Sequence, residues 1–151
     1  MIKDDDPYLV EFNVRMGDPE CQTILPLLEN DLCEIFFNCC KKKLSEKTIR
    51  LNDKKSICIV ICSKGYPEDY RKNSEISNLN KLSLKNNEYI FHAGTKLKDK
   101  KILNSGGRVL NFVAVSNNLK ESRESLIKQI KMLDWKDGFF RKDIAHKVIN
   151  S

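Results

Sequence analysis

The sequence predicts an α+β fold with a helical first third and a strand-rich remainder. Three observations carry this. Residues 56–63 (SICIVICS) form a continuous β-branched run, and residues 108–115 form a second apolar run behind the pair Gly106-Gly107. Apolar residues recur at helical spacing in the first third and again at Leu119, Leu126, Ile130 and Leu133. At 151 residues and 17.5 kDa the chain has room for one domain or two small lobes.

Residues 8–16 (YLVEFNVRM) alternate in the manner of a strand. This places Phe12 and Val14 toward a core and Glu11, Asn13 and Arg15 together on the other face. Gly17-Asp18-Pro19-Glu20 follows, with Asp18 as the expected N-cap and Pro19 at the first helical position. Ile24, Leu25 and Leu28 form that helix's apolar face. A second helix is expected over 31–43, with Leu32, Ile35, Phe36 and Cys39 at helical spacing. The change from helical to strand-rich sequence falls near 45–55.

The run 56–63 predicts a strand buried on both faces. Gly65-Tyr66-Pro67 punctuates the chain, and 71–87 is polar and loop-like. Short strands are expected at 88–92 and 101–104. Ser105-Gly106-Gly107 turns into the strand 108–115. Asn118, with Glu121 three residues on, opens a helix. The stretch 135–149 reads as a turn, a short strand and a final helix.

The start of the chain is unusual. Asp4-Asp5-Asp6-Pro7 is hairpin-turn chemistry, but only Met1, Ile2 and Lys3 precede it, too few for the other arm. Residues 8–16 thus resemble a strand cut out of a larger sheet, the competing reading being a sheet edge capped by acids.

Several function classes are excluded or demoted. No apolar run approaches the ~20 residues of a membrane span, and the opening Met-Ile-Lys-Asp-Asp-Asp is not a secretory signal. A cytoplasmic chain is expected, with its six cysteines reduced. No C-x-x-C pair occurs and only two histidines are present, so zinc-ligand clustering is missing. The net charge of +6 invites a nucleic-acid reading, but 21 of the 27 basic residues are lysines interleaved with acids. With 14 Asn and 14 Ile, this composition is what an AT-rich genome favours, and nucleic acid is not an expected partner.

Glu11-Phe12-Asn13-Val14-Arg15 is the most informative constellation. A carboxylate beside an amide carbonyl offers hard oxygen ligands of the kind Mg²⁺ takes, and an adjacent arginine offers a fork for phosphate or carboxylate. The polar face of a half-exposed strand has the same pattern.

Read onward, Glu11-Phe12-Asn13-Val14-Arg15-Met16-Gly17-Asp18-Pro19-Glu20 resembles the strand–turn–helix signature of the phosphoribosylamine–glycine ligases. Four further segments agree in order: Gly65-Tyr66-Pro67 with Asp69-Tyr70, Phe91-His92-Ala93-Gly94-Thr95-Lys96, Gly106-Gly107-Arg108-Val109-Leu110, and Arg141-Lys142-Asp143-Ile144. The resemblance covers about residues 1–149, but only the C-terminal third or so of that enzyme. It implies the end of an ATP-grasp core over 1–50 and a small β-rich C-terminal lobe with flanking helices over 51–151.

The implied activity joins glycine to 5-phosphoribosylamine through a glycyl phosphate, with ATP converted to ADP and phosphate, in purine biosynthesis. By resemblance, Glu11 and Asn13 hold Mg²⁺ or Mn²⁺ against the ATP phosphates. Arg15 and Asp18 are implied as catalytic, and Glu20 as substrate-binding at the glycine and acyl-phosphate end. Asp18 as a plain helix cap is equally compatible. Gly106, Gly107 and Arg108 are implied to hold the sugar phosphate, with a simple glycine turn as the alternative. His92 reads as a structural or substrate-loop residue. No glycine-rich phosphate loop follows a strand in these residues. The expected partners are therefore glycine, 5-phosphoribosylamine, ATP and an N-terminal ligase fragment encoded separately. The rival readings are an inactive remnant or interaction module that retains the fold.

Overall fold

The computed structural model describes residues 1–46 and 48–149, so part of the expected 45–55 break and residues 150–151 lie outside the described residues. The core is a four-stranded antiparallel sheet. Its strands are β3 (Lys55–Ser63), β4 (Glu88–His92), β7 (Arg108–Ser116) and β8 (Gly138–Phe139), in the order β4-β7-β3-β8. β7 pairs β3 along nearly its whole length, with Ile57 opposite Ala114, Ile59 opposite Phe112 and Ile61 opposite Leu110. These six side chains share one face. They pack against Leu126 and Ile130 of α3 (Leu119–Ile130), together with Ile76 and Trp135.

Helix α3 begins where its capping chemistry dictates. Asn118 Oδ1 accepts from the backbone N–H groups of Lys120 (3.1 Å) and Glu121 (3.3 Å), and its amide donates to Glu121 Oε1. The final helix α4 (His146–Ile149) follows a segment tied to α3 by Arg123, which donates to the carbonyls of Ile144 and Lys142. The strands at 88–92 and 101–104 form as expected, the latter as β6 (Lys101–Asn104). Its partner β5 (Thr95–Lys98) was not foreseen, because its lysine-rich, exposed residues carry no alternation. Asp99 and Lys100, both at positive φ, make the turn between them.

The first third departs most from expectation. The short arm before the acidic turn does form: β1 (Ile2–Lys3) pairs β2 (Asp6–Pro7) across Asp4 and Asp5, at φ 53° and 63°. Residues 8–16, however, make no strand, and Phe12 and Val14 are 82% and 95% exposed instead of buried. A strand is completed by its neighbour's backbone, and among the described residues only Met1, beside Tyr8, bonds this segment's main chain from a facing strand.

Helix α1 (Glu20–Ile24) starts one residue later than expected and receives no side-chain cap from Asp18. Leu25–Leu27 continues it as a 3₁₀ turn. α2 (Leu32–Cys40) is capped by Asp31, which accepts from the Glu34 N–H at 3.0 Å. It ends short of Lys43, and Lys42 adopts a left-handed φ of 57°. α1 and its 3₁₀ extension cover the second face of β3. Ser56, Cys58, Val60 and Cys62 on that face are half-buried, not fully enclosed as expected.

Candidate functional site

Of the segment 11–20, Asp18 meets the turn at 106–108, through Arg108. Glu11 and Asn13 stand side by side, with Asn13 Nδ2 donating to Glu11 Oε1 at 2.9 Å, and both are exposed. Two hard oxygen donors are as many as Mg²⁺ or Mn²⁺ commonly takes from protein when phosphate and water complete the shell. The pair therefore fits such a cation once the Asn13 amide presents its oxygen. No group of three or more His, Cys, Asp or Glu that could hold a metal ion occurs among the described residues. Arg15 turns its guanidinium back to the Met16 carbonyl at 3.3 Å.

Asp18 does not take the N-cap role expected of it, and Glu20, expected at the substrate, makes the local turn contact instead. Glu20 Oε2 accepts from the Gly17 N–H at 2.7 Å, fastening the turn before α1. That releases Asp18, whose Oδ1 accepts from Gln22 Nε2 at 3.1 Å and whose Oδ2 pairs with Arg108 Nε at 3.0 Å. Ninety residues of sequence separate the two ends of this ion pair, which ties the segment after Asn13 to the first residue of β7. Both side chains are about 40% exposed, so its worth in stability is under about 1 kcal/mol; its consequence is positional.

Two thiols lie under this pair on β3. Burial pushes the Cys58 thiol up to about 12, and the Asp18 carboxylate adds to the effect. Cys62 is also raised by burial, opposed by Arg108 and reinforced by Asp18. Both are protonated, unreactive groups at neutral pH.

The Gly106-Gly107 turn is held by groups that sequence reasoning did not identify. The Ser63 hydroxyl donates to the Gly106 carbonyl and the Ser63 N–H to the Gly107 carbonyl, each at 2.8 Å. The Gly106 N–H is engaged by the Gly94 carbonyl at 3.2 Å, so only part of the expected backbone cradle faces outward. A Cβ on Gly107 would overlap the Tyr66 ring, which accounts for a glycine there.

Behind the turn stands Asn104, wholly buried. Its Nδ2 donates to Ser63 Oγ (3.0 Å) and the Arg71 carbonyl (2.6 Å), and its Oδ1 accepts from Ser74 N–H (2.7 Å) and Ser74 Oγ (3.0 Å). Trp135 Nε1 closes the network on Ser74 Oγ at 2.8 Å. The one advance signal was positional: Asn104 stands two residues before the glycine pair. His92 contributes a local bond, Nδ1 to Thr95 Oγ1 at 2.9 Å.

An α+β lobe of this kind, a four-stranded antiparallel sheet with α3 on one face, is matched by the C-terminal domain of a family of ligases. Residues 56–147 match the family described as "Phosphoribosylglycinamide synthetase, C domain", and the chain belongs to that family. Curated relatives extend the likeness beyond this domain. The chain is 41% identical to the phosphoribosylamine–glycine ligase of Caldanaerobacter subterraneus over 145 residues, 96% of this chain and 34% of the relative. It is 41% identical to the trifunctional purine biosynthetic protein adenosine-3 of Gallus gallus over 99% of its length, 15% of that protein. The crystal structure of the phosphoribosylamine–glycine ligase of Thermotoga maritima superposes on 96% of this chain and 35% of its own, with a TM-score of 0.68 at 30% identity. The chain thus spans about a third of the length of the single-function ligases it resembles.

Proposed function

We propose that this chain supplies the C-terminal part of a ligase that joins glycine to 5-phosphoribosylamine at the expense of ATP. Residues 1–50 then end an ATP-grasp core and residues 51–151 form the β-rich C-terminal domain. The observation that carries this reading is the 3.0 Å Asp18–Arg108 pair. It joins the segment that bears Glu11 and Asn13 to Arg108 beside the glycine turn, which supports a reading in which the nucleotide end and the sugar-phosphate end belong to one site.

In this reaction a glycine carboxylate oxygen attacks the γ-phosphorus of ATP, and the bond to ADP breaks. The amine nitrogen of phosphoribosylamine then attacks the glycyl carbonyl carbon, phosphate leaves, and the nitrogen gives up a proton. Glu11 and Asn13 would hold a divalent cation, Mg²⁺ or Mn²⁺, which supplies charge neutralisation at the transferred phosphoryl group. Arg15 offers a guanidinium to the glycine carboxylate, while Asp18 orients Arg108 and Glu20 keeps the 17–20 turn in shape. Gly106, Gly107 and Arg108 receive the sugar phosphate. The six free cysteines suit a reducing, cytoplasmic setting.

The residues that would bind the rest of ATP belong to the preceding two-thirds of the family's length, supplied by the same or a separate chain. Co-expression with that part of the Caldanaerobacter relative tests the proposal. ADP release should require both glycine and phosphoribosylamine and be lost in Glu11→Gln. A complex that forms without substrate-dependent ADP release would instead identify an inactive remnant.

A further inference from the structure

We infer that Gln22 is a positioning residue for the sugar phosphate: it occupies one oxygen of Asp18 and thereby keeps both terminal nitrogens of Arg108 free. That Arg108 meets a phosphate rests on the function proposed above; the arrangement of the three side chains rests on geometry alone. Gln22 stands in α1 four residues after Asp18, and its Nε2 donates to Asp18 Oδ1 at 3.1 Å. Arg108 meets the other oxygen, Oδ2, with its Nε at 3.0 Å. Neither Nη nitrogen of Arg108 hydrogen-bonds to any described residue. The chain also contains the alternative arrangement. Arg141 donates from Nε to Asp143 Oδ1 (3.1 Å) and from Nη2 to Asp143 Oδ2 (2.7 Å). This is the fork a guanidinium makes with a carboxylate whose two oxygens are both open to it. At Asp18 the same fork needs Oδ1, and Gln22 holds it.

The rest of the Gln22 side chain argues against a plain packing role. A carboxylate only accepts, so the amide must turn its nitrogen to Asp18. Its Oε1 is then buried with no partner among the described residues. An orphaned buried acceptor lowers stability, and an apolar side chain of similar length would avoid that loss. Packing therefore favours another residue here, whereas holding Asp18 Oδ1 requires the amide nitrogen. With Oδ1 taken, the Asp18–Arg108 pair stays single-pronged, and the outer edge of the guanidinium is left to grip a second anion beside the Gly106-Gly107 turn.

The test compares wild type with Gln22→Met, first as the full chain and then assembled with the preceding part of the Caldanaerobacter relative. In NMR spectra of the full chain, the Nη–H groups of Arg108 should rotate and exchange freely in the wild type. In Gln22→Met they should slow as the fork with Asp18 closes, and spectra unchanged by the substitution overturn the inference. In the assembly, KM for phosphoribosylamine should rise about tenfold, with kcat and the glycine KM unchanged. The urea midpoint of the variant chain should be no lower than that of wild type. A lowered midpoint with a fall in kcat identifies a merely structural role and overturns the inference, as does an unchanged phosphoribosylamine KM. Gln22→Leu, also apolar, should give the same pattern and replaces the methionine variant if that does not fold. A wild-type assembly without phosphoribosylamine-dependent ADP release counts against the ligase reading alone, and the Arg108 spectra then decide the role of Gln22 by themselves.

Discussion

Replacing Asn104 with alanine removes the hub of the buried network behind the glycine turn, and the structure sets the size of the effect. Four hydrogen bonds disappear, to Ser63 Oγ, the Arg71 carbonyl, Ser74 N–H and Ser74 Oγ. At about 1 kcal/mol net for each, the loss is about 4 kcal/mol. Water reaching the Arg71 carbonyl, at the exposed end of the network, recovers one of these and leaves about 3 kcal/mol. For a chain of this size that corresponds to a melting temperature lower by about 6–12 °C. Urea titration followed by emission of the single tryptophan measures it directly, because Trp135 Nε1 bonds the same Ser74 hydroxyl that Asn104 holds. Ser63→Ala shares one bond with Asn104→Ala, so the double variant should lose less than the sum of the two singles. A loss below about 1 kcal/mol, or strict additivity, would refute the claim that Asn104 organises the turn.

Asn111 is the counter-case: it is wholly buried in β7 with neither amide atom bonded among the described residues. Asn111→Leu should raise stability by about 1–3 kcal/mol in the same titration. Asn118→Ala, which removes the two bonds that start α3, should cost about 1 kcal/mol and lower helical ellipticity. The Cys58 thiol, raised from its ordinary 9.0 to about 12, stays protonated in the fold after the unfolded chain has lost its proton. Its effect on stability is therefore nil below about pH 9 and turns destabilising between 9 and 12, a decline that Cys58→Ala should reduce in pH-dependent unfolding. In thiol labelling at pH 8, the exposed Cys33, Cys39 and Cys40 should react well before Cys58.

What could be read from the sequence follows the range of the interactions involved. β3, β4, β7 and α3 were legible because their signals are local: a β-branched run in β3, apolar and aromatic residues in β4 and β7, and an asparagine with a glutamate three residues on. Residues 8–16 alternate as clearly as any strand here, yet alternation reports which faces suit burial and not whether a neighbour is present. The Asp18 cap failed for a different reason. Cap propensity ranks a residue against its own backbone, whereas the Asp18 carboxylate is engaged by Gln22 and by a guanidinium ninety residues away, and Glu20 bonds the Gly17 N–H. Asn104 was invisible because nothing in its flanking sequence shows that Ser63, Arg71 and Ser74 gather around it. The side-by-side placement of Glu11 and Asn13 was legible, because i and i+2 share a face in any extended chain.

Glu11 and Asn13 are oriented by an extended backbone that currently makes no ladder, so their 2.9 Å contact holds two exposed side chains without fixing the main chain beneath them. A divalent cation gains most when its oxygen ligands are already held at their final separation, because the cost of ordering them is then met before binding. An antiparallel neighbour bonded along this segment would pin the backbone on both sides of Glu11 and Asn13. The Asp18–Arg108 pair anchors the far end of the same segment to the sheet. Cation affinity at this pair should therefore rise with strand pairing and fall in Val10→Pro, a variant that touches neither ligand. That dependence would tie cation binding at Glu11 and Asn13 to whatever pairs with this segment, whereas the Gly106-Gly107 turn is held within the lobe by Ser63.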